Sequence, residues 1–207
     1  VLGGFNHLDL FVRSFELSSL LTGIVYMVML ASAMMILSLP FSYYSTFVIE
    51  QSYGFNKMTR GVFWLDFLKS IFLSLLIGVP IIMALLWFFE SLGSVAWLVA
   101  WGFLVFVQLI LVYLAPSFIM PLFNTFEPLE EGDLKSALED YSRKHAFSFK
   151  GIYKMDGSKR SSKSNAYFTG FGNQRRIVLF DTLIENHSVD ELLAILAHEM
   201  GHYKCRH

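Results

Sequence analysis

Along the first part of the chain, charged and apolar positions separate rather than alternate. No Asp, Glu, Lys or Arg occurs in residues 17–49, 70–89 or 91–126. Charge-free runs of this length suit a bilayer core about 30 Å thick, which about 20 residues of helix cross at 1.5 Å each. The pattern predicts spans over residues 20–39, 70–89 and 95–113. Pro80 falls inside the second span, where a membrane helix tolerates it better than a soluble helix does. The first run is too long, too far from Val1 and too poor in preceding basic residues to be a signal peptide.

From Glu127 onward charges return and the periodicity changes. Leu134, Ala137, Leu138 and Tyr141 recur at helical spacing, with Lys135, Glu139, Asp140 and Arg143 on the other face, which predicts a packing helix. Segments rich in β-branched and aromatic residues predict strands over 152–156, 165–171 and 177–180. Gly172-Asn173-Gln174 reads as a hairpin loop between the last two strands, and a short helix is expected over 180–186. Ser188-Val189-Asp190-Glu191 has the form of a capping box, and its acids suit a helix N-terminus. The apolar run from Leu192 to Ala197 continues that helix and predicts burial.

Composition sharpens the picture. Hydrophobic residues make up 55% and charged residues 16%, with a mean hydropathy of +0.51. Soluble domains carry about 25% charged residues, so an integral membrane protein is expected. The loop between the first two spans holds Lys57, Arg60 and Lys69, and most other bases follow the third span. By the positive-inside rule the C-terminal region faces the cytoplasm. The single Cys205 excludes internal disulfides and agrees with a reducing compartment. The spans lack the internal ionisable residues of a transport pathway, which argues against a channel or transporter.

The chemistry lies at the far end, in His198-Glu199-Met200-Gly201-His202. Four residues apart on a helix, His198 and His202 can present imidazole nitrogens to one metal ion. Glu199 stands one step around the helix, within reach of a water on that ion, the pattern of a zinc hydrolase. A catalytic zinc takes three protein ligands and a water. Here two are found, and the histidine-bearing extension of some zinc peptidases is absent, since Cys205 replaces its glycine. Asp181 and Glu185 are acids at the ends of the short predicted helix, where they are expected to be exposed, so the third ligand is expected outside this chain.

Two segments before the motif admit more than one reading. Ser158-Lys159-Arg160-Ser161-Ser162-Lys163-Ser164 is either a solvated loop or a contact for anionic headgroups or a substrate carboxylate. Asn165-Ala166-Tyr167-Phe168 is either an interior strand or an exposed edge that receives a peptide as an added strand.

The run from Asp156 through Phe168 resembles the CAAX prenyl protease type 1 family of membrane zinc metallopeptidases. So do Arg176-Ile177-Val178-Leu179-Phe180-Asp181-Thr182-Leu183 and the zinc helix after it. Upstream, Phe47-Val48-Ile49-Glu50, Gly54-Phe55-Asn56, Pro121-Leu122-Phe123-Asn124 and Pro128-Leu129 look like the same family. The resemblance implies a multi-span helical protein enclosing a chamber. It implies removal of the last three residues after a prenylated cysteine, and in some members other membrane-protein cleavage. By position, His198 and His202 resemble the zinc ligands, Glu199 the general base, and Asn165 and Ala166 the substrate-binding edge strand. The family's third ligand, a glutamate well downstream, has no counterpart here, and Lys163 stands where many relatives have His.

The expected fold is an α-helical integral membrane protein with a small α+β zinc-metallopeptidase region, a short sheet plus the zinc-motif helix. Residues 1–126 are expected to form a membrane region with about three spans. Residues 127–207 are expected to form a cytoplasm-facing metallopeptidase region, incomplete at its C-terminus, and truncation before Val1 is expected as well. The expected function is Zn2+-dependent endoproteolysis in the bacterial inner membrane or endoplasmic reticulum. The expected partners are a peptide or lipidated protein substrate and membrane lipids; no nucleic acid is expected. Rival readings are a membrane quality-control protease with no prenyl requirement and a non-catalytic scaffold. The fragment by itself is expected to be inactive.

Overall fold

In the computed structural model, residues 3–145, 149–169 and 175–205 are described, the last four of them by backbone alone. They divide into two compact units. One comprises residues 1–49 and 61–109; the other comprises 50–60 and 110–207.

The first unit is helical. A short helix α1, Gly4–Arg13, precedes α2, Ser19–Tyr44, which runs into a π-helical turn, Ser45–Glu50. Then come α3, Arg60–Ser91, and α4, Ala96–Leu114, whose last residues already belong to the second unit, as do the second π-helical turn, Ala115–Ile119, and α5, Met120–Phe123, that follow. Three stretches, Ser19–Glu50, Arg60–Ser91 and Gly93–Phe123, are long and apolar enough to cross a membrane. Each contains one expected span and extends beyond it. Their outer faces carry exposed Ile36, Phe41, Phe72, Trp97, Trp101 and Leu109, a surface suited to lipid. At one end of the α2–α3 pair Ser19 Oγ donates to Glu90 Oε1 at 2.6 Å. Edge-on aromatic contacts of Phe63 with Tyr43 and Phe47, both 5.5 Å between ring centroids, join the same two helices at their other ends.

The second unit holds a four-stranded sheet. β1 is Phe126–Pro128, β2 Gly151–Met155, β3 Ala166–Thr169 and β4 Arg176–Phe180. Their order is β1-β2-β4-β3, with β2 and β4 parallel and the outer pairs antiparallel. β1 was not foreseen, since three residues are too few for a periodicity. The expected hairpin loop at 172–174 lies outside the described residues. Around the sheet stand α6, Asp133–Lys144, α7, Asp181–Asn186, and α8, Val189–Cys205.

Side chains two apart share a face of a strand. Ile152, Ala166, Phe168, Ile177 and Leu179 therefore meet on one side, as the pairing of Ala166 with Leu179 and of Phe168 with Ile177 requires. Against that face α8 lays Leu192, Leu196 and Met200, four apart and all buried, while α6 adds Leu138. This core holds the zinc-motif helix to the sheet.

Candidate active site

α8 starts where the capping pattern places it. Ser188 N–H donates to Glu191 Oε2 at 2.8 Å, and the Ser188 hydroxyl donates to the same oxygen at 2.8 Å. These two donors, the backbone N–H foremost, hold the Glu191 carboxyl below its ordinary range. The hydroxyl gives its proton to Glu191 instead of capping a backbone N–H, so half of the expected capping box forms.

The helix is unbroken from Val189 to Cys205, which sets positions 198 and 202 on one face, one turn apart. His198 is exposed and Glu199 half-buried. The expected burial of this helix holds along one stripe and not at His198. The apolar run serves the sheet through one stripe, and His198 lies away from that stripe. Burial therefore does not demand a partner for it; the case for metal rests on the type and spacing of the donors.

Two imidazoles and a neighbouring carboxylate fit the histidine half of a catalytic zinc set. Among the described residues no group of three His, Cys, Asp or Glu side chains gathers as a metal site. Asp181 and Glu185 lie at the two ends of α7, and Asp181 is occupied elsewhere. It accepts from Ser158 N–H at 2.8 Å, from the Ser158 hydroxyl and from Thr182 N–H at 2.8 Å. Partial burial favours its neutral form, but these donors and the charge of Lys154 outweigh burial and hold the carboxyl low.

Beside α8 lies β3, the outer strand of the sheet on that side. Phe180 N–H donates to Asn165 C=O at 3.0 Å, one register step before Ala166 pairs with Leu179. The antiparallel alternation then turns the main-chain groups of Ala166 and Phe168 outward. Asn165 itself is exposed, and its Oδ1 accepts from Ala166 N–H at 2.9 Å. Tyr167 points to the opposite face, edge-on to Phe180 with its hydroxyl 3.6 Å from Met155 Sδ; burial pushes its pKa up to about 12.

The basic segment before β3 is tied down. Arg160 donates through Nη1 to Asn124 Oδ1 at 2.8 Å and through Nη2 to Phe123 C=O. Lys163 Nζ sits 3.0 Å from Glu50 Oε1 and 5.0 Å from the centroid of the Phe55 ring. Ser162 N–H donates to Phe55 C=O at 2.9 Å, Lys57 N–H to Arg160 C=O at 3.1 Å, and Asn56 bridges Ser161. Asn56 is buried, its Nδ2 donating to Gln51 Oε1 and its Oδ1 accepting from Met58 N–H. Neither sequence reading of this segment anticipated these anchors. Their residues were in view in the separate segments around Glu50, Phe55 and Asn124, but nothing in their spacing joins them.

Residues 1–125 match the family model described as CAAX prenyl protease N-terminal, five membrane helices, and residues 128–207 match that of peptidase family M48. The chain is 42% identical to CAAX prenyl protease 1 of Saccharomyces cerevisiae over 95% of its length and 44% of that protein. It is 37% identical to the CAAX prenyl protease 1 homolog of Homo sapiens, covering 82% of the chain and 43% of the relative. The crystal structure of S. mikatae Ste24p superposes with a TM-score of 0.86 at 43% identity, over 92% of this chain and 44% of that one. The chain thus spans less than half the length of these relatives. Its apolar helices and the matched membrane region mark a multi-pass membrane protein.

Proposed function

Because the chain belongs to peptidase family M48 and carries the N-terminal membrane region of the CAAX prenyl proteases, we propose that it is part of a zinc-dependent membrane endopeptidase. Its substrate is a prenylated protein, from which it removes the C-terminal tripeptide. The observation that carries the reading is the juxtaposition of the outer strand β3 with the helix that bears His198, Glu199 and position 202. The zinc-motif helix faces the cytoplasm, in keeping with the bases of the first loop.

Substrate adds to the sheet as a further strand along β3, entering beside Asn165 and Ala166. A prenyl chain remains in the apolar membrane phase. His198 and His202 would hold the zinc, with a third ligand from sequence outside these 207 residues. When bound, the metal supplies Lewis-acid polarisation of the scissile carbonyl and a water acidified to a pKa of about 7. Glu199 accepts the proton of the attacking water and delivers it to the leaving amide nitrogen.

The test is zinc stoichiometry and cleavage, measured on this chain and on a version extended by its natural downstream sequence. One zinc per extended chain, with cleavage of a farnesylated peptide and not of its unmodified twin, is the expected result. Equal cleavage of both peptides would replace the proposed substrate with unprenylated membrane proteins. No tightly bound zinc in either version would reject the peptidase.

A further inference from the structure

The segment Ser158–Lys163 stands directly before β3, and its side chains and backbone are fastened in three directions. Toward the end of the first span, Lys163 meets Glu50, the last residue of one π-helical turn, and lies over Phe55. Toward the end of the third span, Arg160 grips Asn124 and the Phe123 carbonyl, just beyond the other π-helical turn and α5. Toward the sheet, Ser158 is held by Asp181, and Thr182 Oγ1 donates to Lys163 C=O at 3.1 Å. π-Helical turns occur mostly as local departures within α-helices, frequently at functional sites. Here one ends on an acceptor for a base of this segment and the other precedes one.

We propose that Lys163 and Arg160 are positioning residues: they fasten the approach to β3 to Glu50 and Asn124, and thereby set the line along which a peptide strand is received. The inference rests on the strand-addition reading of β3 and adds its support. A strand that adds by main-chain hydrogen bonds needs donors and acceptors aligned over several residues, so small displacements of the edge weaken binding. Glu199 sits on α8, which Leu192, Leu196 and Met200 fasten to the sheet through a core that does not include Lys163, Arg160, Glu50 or Asn124. Loosening the anchor therefore acts on substrate binding more than on turnover. The Lys163–Glu50 pair is partly exposed, and its value lies in geometry rather than in stability. Arg160 uses two nitrogens on two acceptors, a fork that lysine does not reproduce.

The experiment measures kcat and KM on the extended protein in detergent with a farnesylated peptide. Lys163→Glu is expected to raise KM about tenfold, with kcat kept within about twofold. Adding Glu50→Lys to it restores the opposite-charge pair and returns KM to within about threefold of the parent. Arg160→Lys raises KM in the same way, which keeps the test open if Lys163→Glu fails to fold. Lys159→Glu, at an exposed base of the same segment, leaves both constants within about twofold. The proposal is overturned if the charge swap does no better than Lys163→Glu alone. It is also overturned if Lys159→Glu raises KM equally, since the segment would then act on substrate by net charge. A parent protein inactive on every peptide would instead reject the peptidase reading and this inference with it.

Discussion

The ring of Phe180 lies so close over Gly157 that a Cβ on the glycine would come within 2.5 Å of Phe180 Cδ2. Gly157 stands directly before the basic segment, and Phe180 ends β4 with its N–H on the Asn165 carbonyl. A side chain at 157 must therefore push on the residue that holds the start of the candidate substrate strand. Gly157→Ala is expected to destabilise the second unit by about 1–3 kcal/mol, the usual result of overpacking. A thermal or denaturant midpoint unchanged from the parent would show that Phe180 rotates aside freely.

Glu199→Gln keeps the shape of the side chain and removes its capacity to accept a proton. In the extended protein it should retain zinc and lose cleavage by about 10²–10⁴-fold, the range for general-base catalysis. Substantial turnover alongside full zinc occupancy would take the base assignment away from Glu199.

Asp181 carries a pH dependence whose sign follows from its donors. Its carboxyl is held below the ordinary value of 3.8 in the folded chain, against the effect of partial burial. A depressed folded pKa contributes stability that is complete above the unfolded value and is lost as pH falls through the folded one. Asp181→Asn should thus be less stable than the parent near neutrality. The two unfolding midpoints should converge as pH drops below about 4. Parallel curves from pH 3 to pH 7 would show that the hydrogen bonds of Ser158 to Asp181 do not favour the charged form.

Ser142 is 2% exposed, and its hydroxyl finds no hydrogen-bond partner among the described residues. A buried hydroxyl without a partner costs about 1–3 kcal/mol, and alanine occupies the same helical position without that penalty. Ser142→Ala on α6 should therefore raise the unfolding midpoint of the second unit and leave cleavage unchanged. A lowered midpoint would show that the hydroxyl is satisfied in solution.

Much of this molecule was legible along the chain. The charge-free runs declared three helices long and apolar enough to cross a membrane, because a bilayer selects on composition over one stretch at a time. Ser188 and Glu191 marked the start of α8 because a helix cap is settled within one turn. The placing of positions 198 and 202 on one face was legible because it follows from helical spacing alone. Each of these depends only on near neighbours. The exposure of His198 did not follow, since an apolar run does not say whether it packs on one side or on all. That β3 is an outer strand was equally hidden. It depends on the order β1-β2-β4-β3, in which the parallel pairing of β2 with β4 displaces β3 to the rim. The meeting of Glu50 with Lys163 and of Asn124 with Arg160 joins positions far apart in sequence, and only tertiary structure brings them together. Short-range periodicity determined the elements and the residues they carry. Long-range pairing, whose loop-closure entropy no local pattern encodes, decided how the candidate substrate strand is held.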